Sequence, residues 1–86
     1  MSEFESEVLA VIQDALMLAE IPSTFTADAD LFGTFGLDSV DALEIVMALK
    51  RRYGVEFSAE DEKNKAVFRS LRELAAHVAS RRPASA

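Results

Sequence analysis

Runs of helical period at residues 4–19 and 40–53 lie on either side of an eighteen-residue stretch, 20–37, that has no clean period. That gap constrains the fold most, because a compact domain rarely tolerates a connection longer than about 12–15 residues unless it has a function. The first run has Phe4, Val8, Val11, Ile12, Ala15, Leu16 and Ala19 at helical spacing. Ser2 with Glu5 is a capping box, and acids at 3, 5 and 7 suit the positive end of a helix dipole. A helix is expected over 3–19, stopping before Ile21-Pro22 because a residue preceding proline avoids the α region. The gap is punctuated by Pro22, Gly33 and Gly36, yet Phe25, Leu31, Phe32, Phe35 and Leu37 predict a loop pinned to a core.

Asp38 is a good N-cap for the second helix, with Asp41 in its first turn. Ala42, Ile45, Val46, Leu49 and Tyr53 form one broad apolar face, and Val40, Leu43 and Met47 form a second stripe bordered by Glu44 and Arg51. One stripe docks a helix; two imply deep burial or a partner site. Gly54 ends this helix, and Val55-Glu56-Phe57 reads as extended. Ser58 with Asp61 opens a short third helix, and Ser70 with Glu73 opens a fourth that carries Leu71, Leu74, Ala75 and Val78 on one face. The expected fold is all-α: a four-helix bundle with a short third helix and a long loop between helices 1 and 2. Residues 1–80 read as one domain and 81–86 as a disordered tail.

Composition narrows the function. No apolar run approaches the roughly 18 residues of a membrane span, and the acidic start does not resemble an export signal, so the cytoplasm is the expected compartment. The chain has no cysteine, hence no thiol of its own for chemistry. Residues 1–49 contain ten Asp/Glu and no Lys or Arg, whereas residues 50–86 contain nine Lys/Arg against five Asp/Glu. The acidic half would repel nucleic acid and attract basic patches on proteins, although a solvated acidic surface serves solubility equally well.

Gly36-Leu37-Asp38-Ser39-Val40 puts a serine on the first turn of a helix, after a glycine-bearing loop. A phosphate on that hydroxyl would meet unsatisfied N–H groups and a positive dipole end. On these five residues alone, simple capping of a helix by Asp38 and Ser39 is the better explanation, as the commonest reason for such a pair. The longer stretch Leu37-Asp38-Ser39-Val40-Asp41-Ala42-Leu43-Glu44-Ile45-Val46-Met47-Ala48-Leu49 resembles the attachment-site helix of acyl carrier proteins, in which Asp-Ser-Leu opens an acidic amphipathic helix. The likeness extends to Leu31-Phe32, to Tyr53-Gly54-Val55 and to the order of the helices.

The resemblance implies an acyl-carrier bundle that is a carrier and not an enzyme. Ser39 would accept 4′-phosphopantetheine from coenzyme A through a separate magnesium-dependent phosphopantetheinyl transferase, which reads Asp38. The arm then supplies the thiol that the sequence lacks. Asp41 and Glu44 would face basic patches on partner enzymes, with Val40, Leu43 and Met47 as apolar contacts. Ile45, Leu49 and Tyr53 would line a cavity for part of an acyl chain. The implied partners are ketosynthase, reductase, dehydratase or acyltransferase enzymes of fatty acid or polyketide synthesis, met by a monomer.

Departures from the family pattern are Lys50-Arg51-Arg52 where acids are common, Phe32-Gly33-Thr34-Phe35 before the motif, and Val40 for leucine. The long segment 58–68, with Leu74-Ala75-Ala76-His77-Val78, resembles free-standing carriers of aryl-polyene or related type II polyketide systems. Other readings are an aminoacyl or peptidyl carrier, and an acidic helical adaptor without a prosthetic group. Asp28-x-Asp30-x-x-Gly33 begins like a calcium loop but lacks its late carboxylate. A Ser39–His77 hydrolase lacks the Gly-x-Ser-x-Gly turn.

Overall fold

The structure, a computed structural model, describes residues 1–57 and 67–81. Among these residues it contains helices α1 (Glu3–Ala15), α2 (Leu31–Phe35), α3 (Ser39–Tyr53) and α4 (Leu71–Arg81). Their only β pairing is a single antiparallel bridge between Asp30 and Ser70. The all-α architecture expected from the sequence is therefore present, with α1 packed against both α3 and α4. The helix expected from Ser58 lies outside the described residues, as does the tail beyond Arg81.

α1 starts as its sequence predicts. The Ser2 hydroxyl accepts from the Glu5 amide at 3.1 Å, and the Glu5 carboxylate accepts from the Ser2 amide at 2.7 Å. Its end differs from expectation: the helix stops at Ala15, not near Ala19. Met17 adopts the left-handed conformation with φ 55°. The Leu18 amide then donates to the Gln13 carbonyl at 2.9 Å, and the Met17 amide to Asp14 at 3.3 Å. This is a Schellman ending, usually built on glycine. It turns Leu18 and Ile21 onto the core beside Leu16, which a continuing helix could not do. A left-handed methionine is strained, and Met17 is exposed, so Met17→Gly should stabilise the fold by about 1 kcal/mol in urea unfolding.

The long connection is also more ordered than its sequence indicates, because it contains α2. Two remote segments pair to hold that helix in place. The Leu31 amide donates to the Arg69 carbonyl at 3.0 Å, and the Arg72 amide to the Ala27 carbonyl at 2.9 Å. Phe25 meets Phe35 at 5.2 Å between ring centroids, and Phe32 meets Phe68 at 6.0 Å. Leu31 is fully buried, so the connection is pinned to the core as expected.

Arg72 ties the connection to two helices. Its guanidinium lies 2.8 Å from the Asp28 carboxylate and 3.6 Å from that of Glu5. The Glu5 carboxyl titrates below its ordinary 4.5, chiefly because of the Ser2 amide; partial desolvation opposes the shift, and the Ser2 hydroxyl and Arg72 reinforce it. A depressed carboxyl stabilises the fold fully above its unfolded pKa and loses that contribution as pH falls through the folded value. Glu5→Gln should therefore cost stability at neutral pH, and the gap to wild type should close as urea unfolding is repeated from about pH 6 down to about pH 3.

The core is built from Val8 and Ile12 of α1, Leu31 of α2, Ile45 and Leu49 of α3, Val55, and Leu71, Leu74 and Val78 of α4, all fully buried. The end of α3 is fastened to the start of α1, so the two run antiparallel. The Tyr53 hydroxyl donates to Glu7 at 2.9 Å, and the Tyr53 ring meets Phe4 edge-on at 5.4 Å. Gly54, with φ 70°, closes α3 through its amide to the Lys50 carbonyl at 2.9 Å.

Candidate functional site

Three residues, 36–38, separate α2 from α3, and each has a distinct role. Gly36 closes α2 in the left-handed conformation with φ 64°, which side chains disfavour. A Cβ built there would meet nothing within 4 Å, so the approach over this turn is open. Leu37 is half-buried against the core and anchors the turn.

Asp38 then caps α3. One carboxylate oxygen accepts from the amides of Val40 and Asp41, each at 3.0 Å, and the Asp41 carboxylate accepts from the Asp38 amide at 3.1 Å. This reciprocal box satisfies donors that would otherwise be free at the helix start. Ser39 is the first residue of α3, is exposed, and its hydroxyl forms no hydrogen bond with any described residue. Capping by Asp38 leaves that hydroxyl spare. An exposed, unpartnered serine at a positive helix end, beside an open turn, fits a phosphate-linked group attached by another enzyme.

The structure separates the two faces of α3 as the periodicity suggests. Ile45, Val46, Leu49 and Tyr53 are buried, and Ala48 joins them. Val40, Leu43 and Met47 are exposed, with Glu44 exposed beside them. Asp41 is half-buried and shares its carboxylate with the cap, so it is less free than Glu44. The three residues expected to line an acyl cavity, Ile45, Leu49 and Tyr53, are members of the packed core.

Other residues weighed from the sequence have structural partners. The His77 ring lies 5.0 Å from that of Phe57, with Nε2 enclosed, and Ser39 has no hydrogen bond to it. Asp28 is paired with Arg72, and the Asp30 carboxylate lies against Gly33, where a Cβ would collide with it. Sequence reasoning did not find the groove between α1 and α3, which is lined by Glu7, Ala10, Asp14, Ala48, Arg51 and Arg52 among others.

Comparison with known families agrees with this geometry. The model of the phosphopantetheine attachment site family matches residues 6–78, which include the capped turn, Ser39 and all of α3. Among the described residues, no helix is long and apolar enough to cross a membrane. With the all-α fold and a match over most of its length, the chain belongs to the family of carrier domains to which 4′-phosphopantetheine is covalently attached.

Proposed function

We propose that this protein is an acyl carrier whose phosphopantetheine is attached to Ser39, and that it delivers acyl groups to enzymes of fatty acid or polyketide synthesis. The observation that carries the reading is the division of labour at the start of α3. Asp38 performs the capping, so the Ser39 hydroxyl is exposed and uncommitted.

In the loading step the Ser39 oxygen attacks the phosphorus of coenzyme A that bears the pantetheine. The bond from that phosphorus to 3′,5′-ADP breaks, and the hydroxyl proton passes to a base on the transferase. Asp38 holds the first turn of α3 rigid, so Ser39 is presented in one orientation. The attached arm supplies a thiol for thioester formation, which a chain without cysteine cannot provide. Val40, Leu43, Glu44 and Met47 form the docking surface next to that attachment point, with Asp38 read by the transferase and Asp41 contributing charge from the cap.

The test is to incubate the protein with coenzyme A, magnesium and a broad-specificity phosphopantetheinyl transferase and to record its intact mass. A gain of one phosphopantetheine is expected. No gain with several transferases on folded protein would remove the reading and favour a helical adaptor. The acidic first half supports acyl cargo over aminoacyl cargo, and the likeness of 58–68 and 74–78 to aryl-polyene carriers supports a type II polyketide setting. Offering the loaded protein malonyl and aminoacyl donors with their transfer enzymes decides between the cargoes.

A further inference from the structure

The exposed stripe of α3 does not end with its apolar residues. Val40, Leu43 and Met47 are 64%, 52% and 46% exposed. At 3.6 residues per turn, Val40, Glu44, Met47 and Arg51 fall within about 60° of one another around the helix. Arg51 therefore continues the same stripe, about 10 Å beyond Glu44 along the axis.

The three cations of the last turn differ in what they contact. Lys50 lies 3.3 Å from Glu56, and Arg52 lies 3.7 Å from Glu7 while its guanidinium covers the Tyr53 ring at 5.7 Å. Arg51 is exposed and has no carboxylate partner among the described residues. Asp14 is on the wall of the same groove but forms no ion pair with it. The negative end of the helix dipole favours all three cations equally, so it does not explain why one is left on the docking stripe.

Along the stripe the order is apolar at Val40 and Leu43, acid at Glu44, apolar at Met47 and cation at Arg51. A uniformly basic partner surface would attract Glu44 and repel Arg51. The complementary surface has a basic group over Glu44, an apolar socket over Val40, Leu43 and Met47, and a carboxylate over Arg51. We propose that the synthase enzyme receiving cargo from this carrier docks along α3 and presents an acidic side chain to Arg51, at the end of the stripe remote from Ser39. The inference rests on the carrier reading and specifies the partner's charge pattern. A mixed pattern rejects enzymes built for uniformly acidic carriers, since like charges placed together oppose docking.

The test loads the wild-type, Arg51→Gln and Arg51→Glu chains with a pantetheine ending in a chloroacrylamide, and loading is verified by mass. The loaded chains are then cross-linked to a ketosynthase, whose active-site thiolate displaces chloride. Each Asp or Glu at the mouth of the ketosynthase is replaced singly by Lys, and cross-linking rates are compared. At one mouth position, Lys should slow reaction with wild type relative to Arg51→Glu by about fivefold, with Arg51→Gln between them. A rate ratio between the chains that stays within about twofold for every ketosynthase variant overturns the proposal while leaving the carrier reading intact. Failure of the wild-type chain to gain the loaded mass overturns the carrier reading, and this proposal with it.

Discussion

Ser39→Ala should abolish phosphopantetheine loading completely, with no mass gain under conditions that convert the wild-type chain. On the proposed attachment the loss is total, because the side-chain oxygen itself becomes part of the new phosphodiester. The same substitution should leave folding almost untouched. Ser39 is exposed and its hydroxyl is unpartnered, so its removal leaves no buried group unsatisfied and no cavity. Stability should change by less than about 0.5 kcal/mol, as at other uncommitted surface positions. Unchanged circular dichroism and unfolding midpoint, together with zero loading, separate lost chemistry from lost structure. The adaptor reading makes the opposite prediction, that protein binding survives Ser39→Ala. A mass gain that persists in this variant would move the attachment point to another residue.

Leu49→Ala should have the reverse profile. Leu49 is fully buried in the face of α3 that meets the rest of the core. Truncating it removes apolar contacts and leaves a cavity, at a cost of about 2–5 kcal/mol. A domain of 86 residues has a total stability of about 4–13 kcal/mol, so this change removes a large share. Urea unfolding should show a much lower midpoint with little change in slope. Whatever fraction remains folded should still accept phosphopantetheine, since the Asp38 cap and Ser39 lie outside the buried surface of α3, about 15 Å along the axis from Leu49. Loading lost in proportion to the unfolded fraction would support that view. Loading lost from fully folded protein would show that the core positions the serine directly.

These two variants mark how the chain divides its residues between structure and function. Leu43 and Met47 are as apolar as Ile45 and Leu49, but the former are exposed and the latter fully buried. A helix needs only one apolar face to dock, so the second is available to the partners proposed above. Periodicity reveals both stripes but cannot rank them. Burial against α1 identifies the core stripe.

The sequence by itself determined the starts of α1 and α3, the glycine ending of α3, and the burial of Leu71, Leu74, Ala75 and Val78 on α4. Caps and short-range periodicity are local, and their hydrogen bonds join residues two to four positions apart. Only the tertiary structure decided where α1 stops and that the long connection contains a helix. The periodic Leu16 and Ala19 argue for continuing α1, but the chain gains more by bending at a strained Met17 to bring Leu18 and Ile21 onto the core. α2 is one turn and a half, too short for a period to register, and its position depends on Asp30 meeting Ser70 forty residues away. Such pairing is formed by residues distant in sequence, so local pattern cannot disclose it. The freedom of the Ser39 hydroxyl also emerged only in three dimensions, because it follows from Asp38 taking both capping hydrogen bonds.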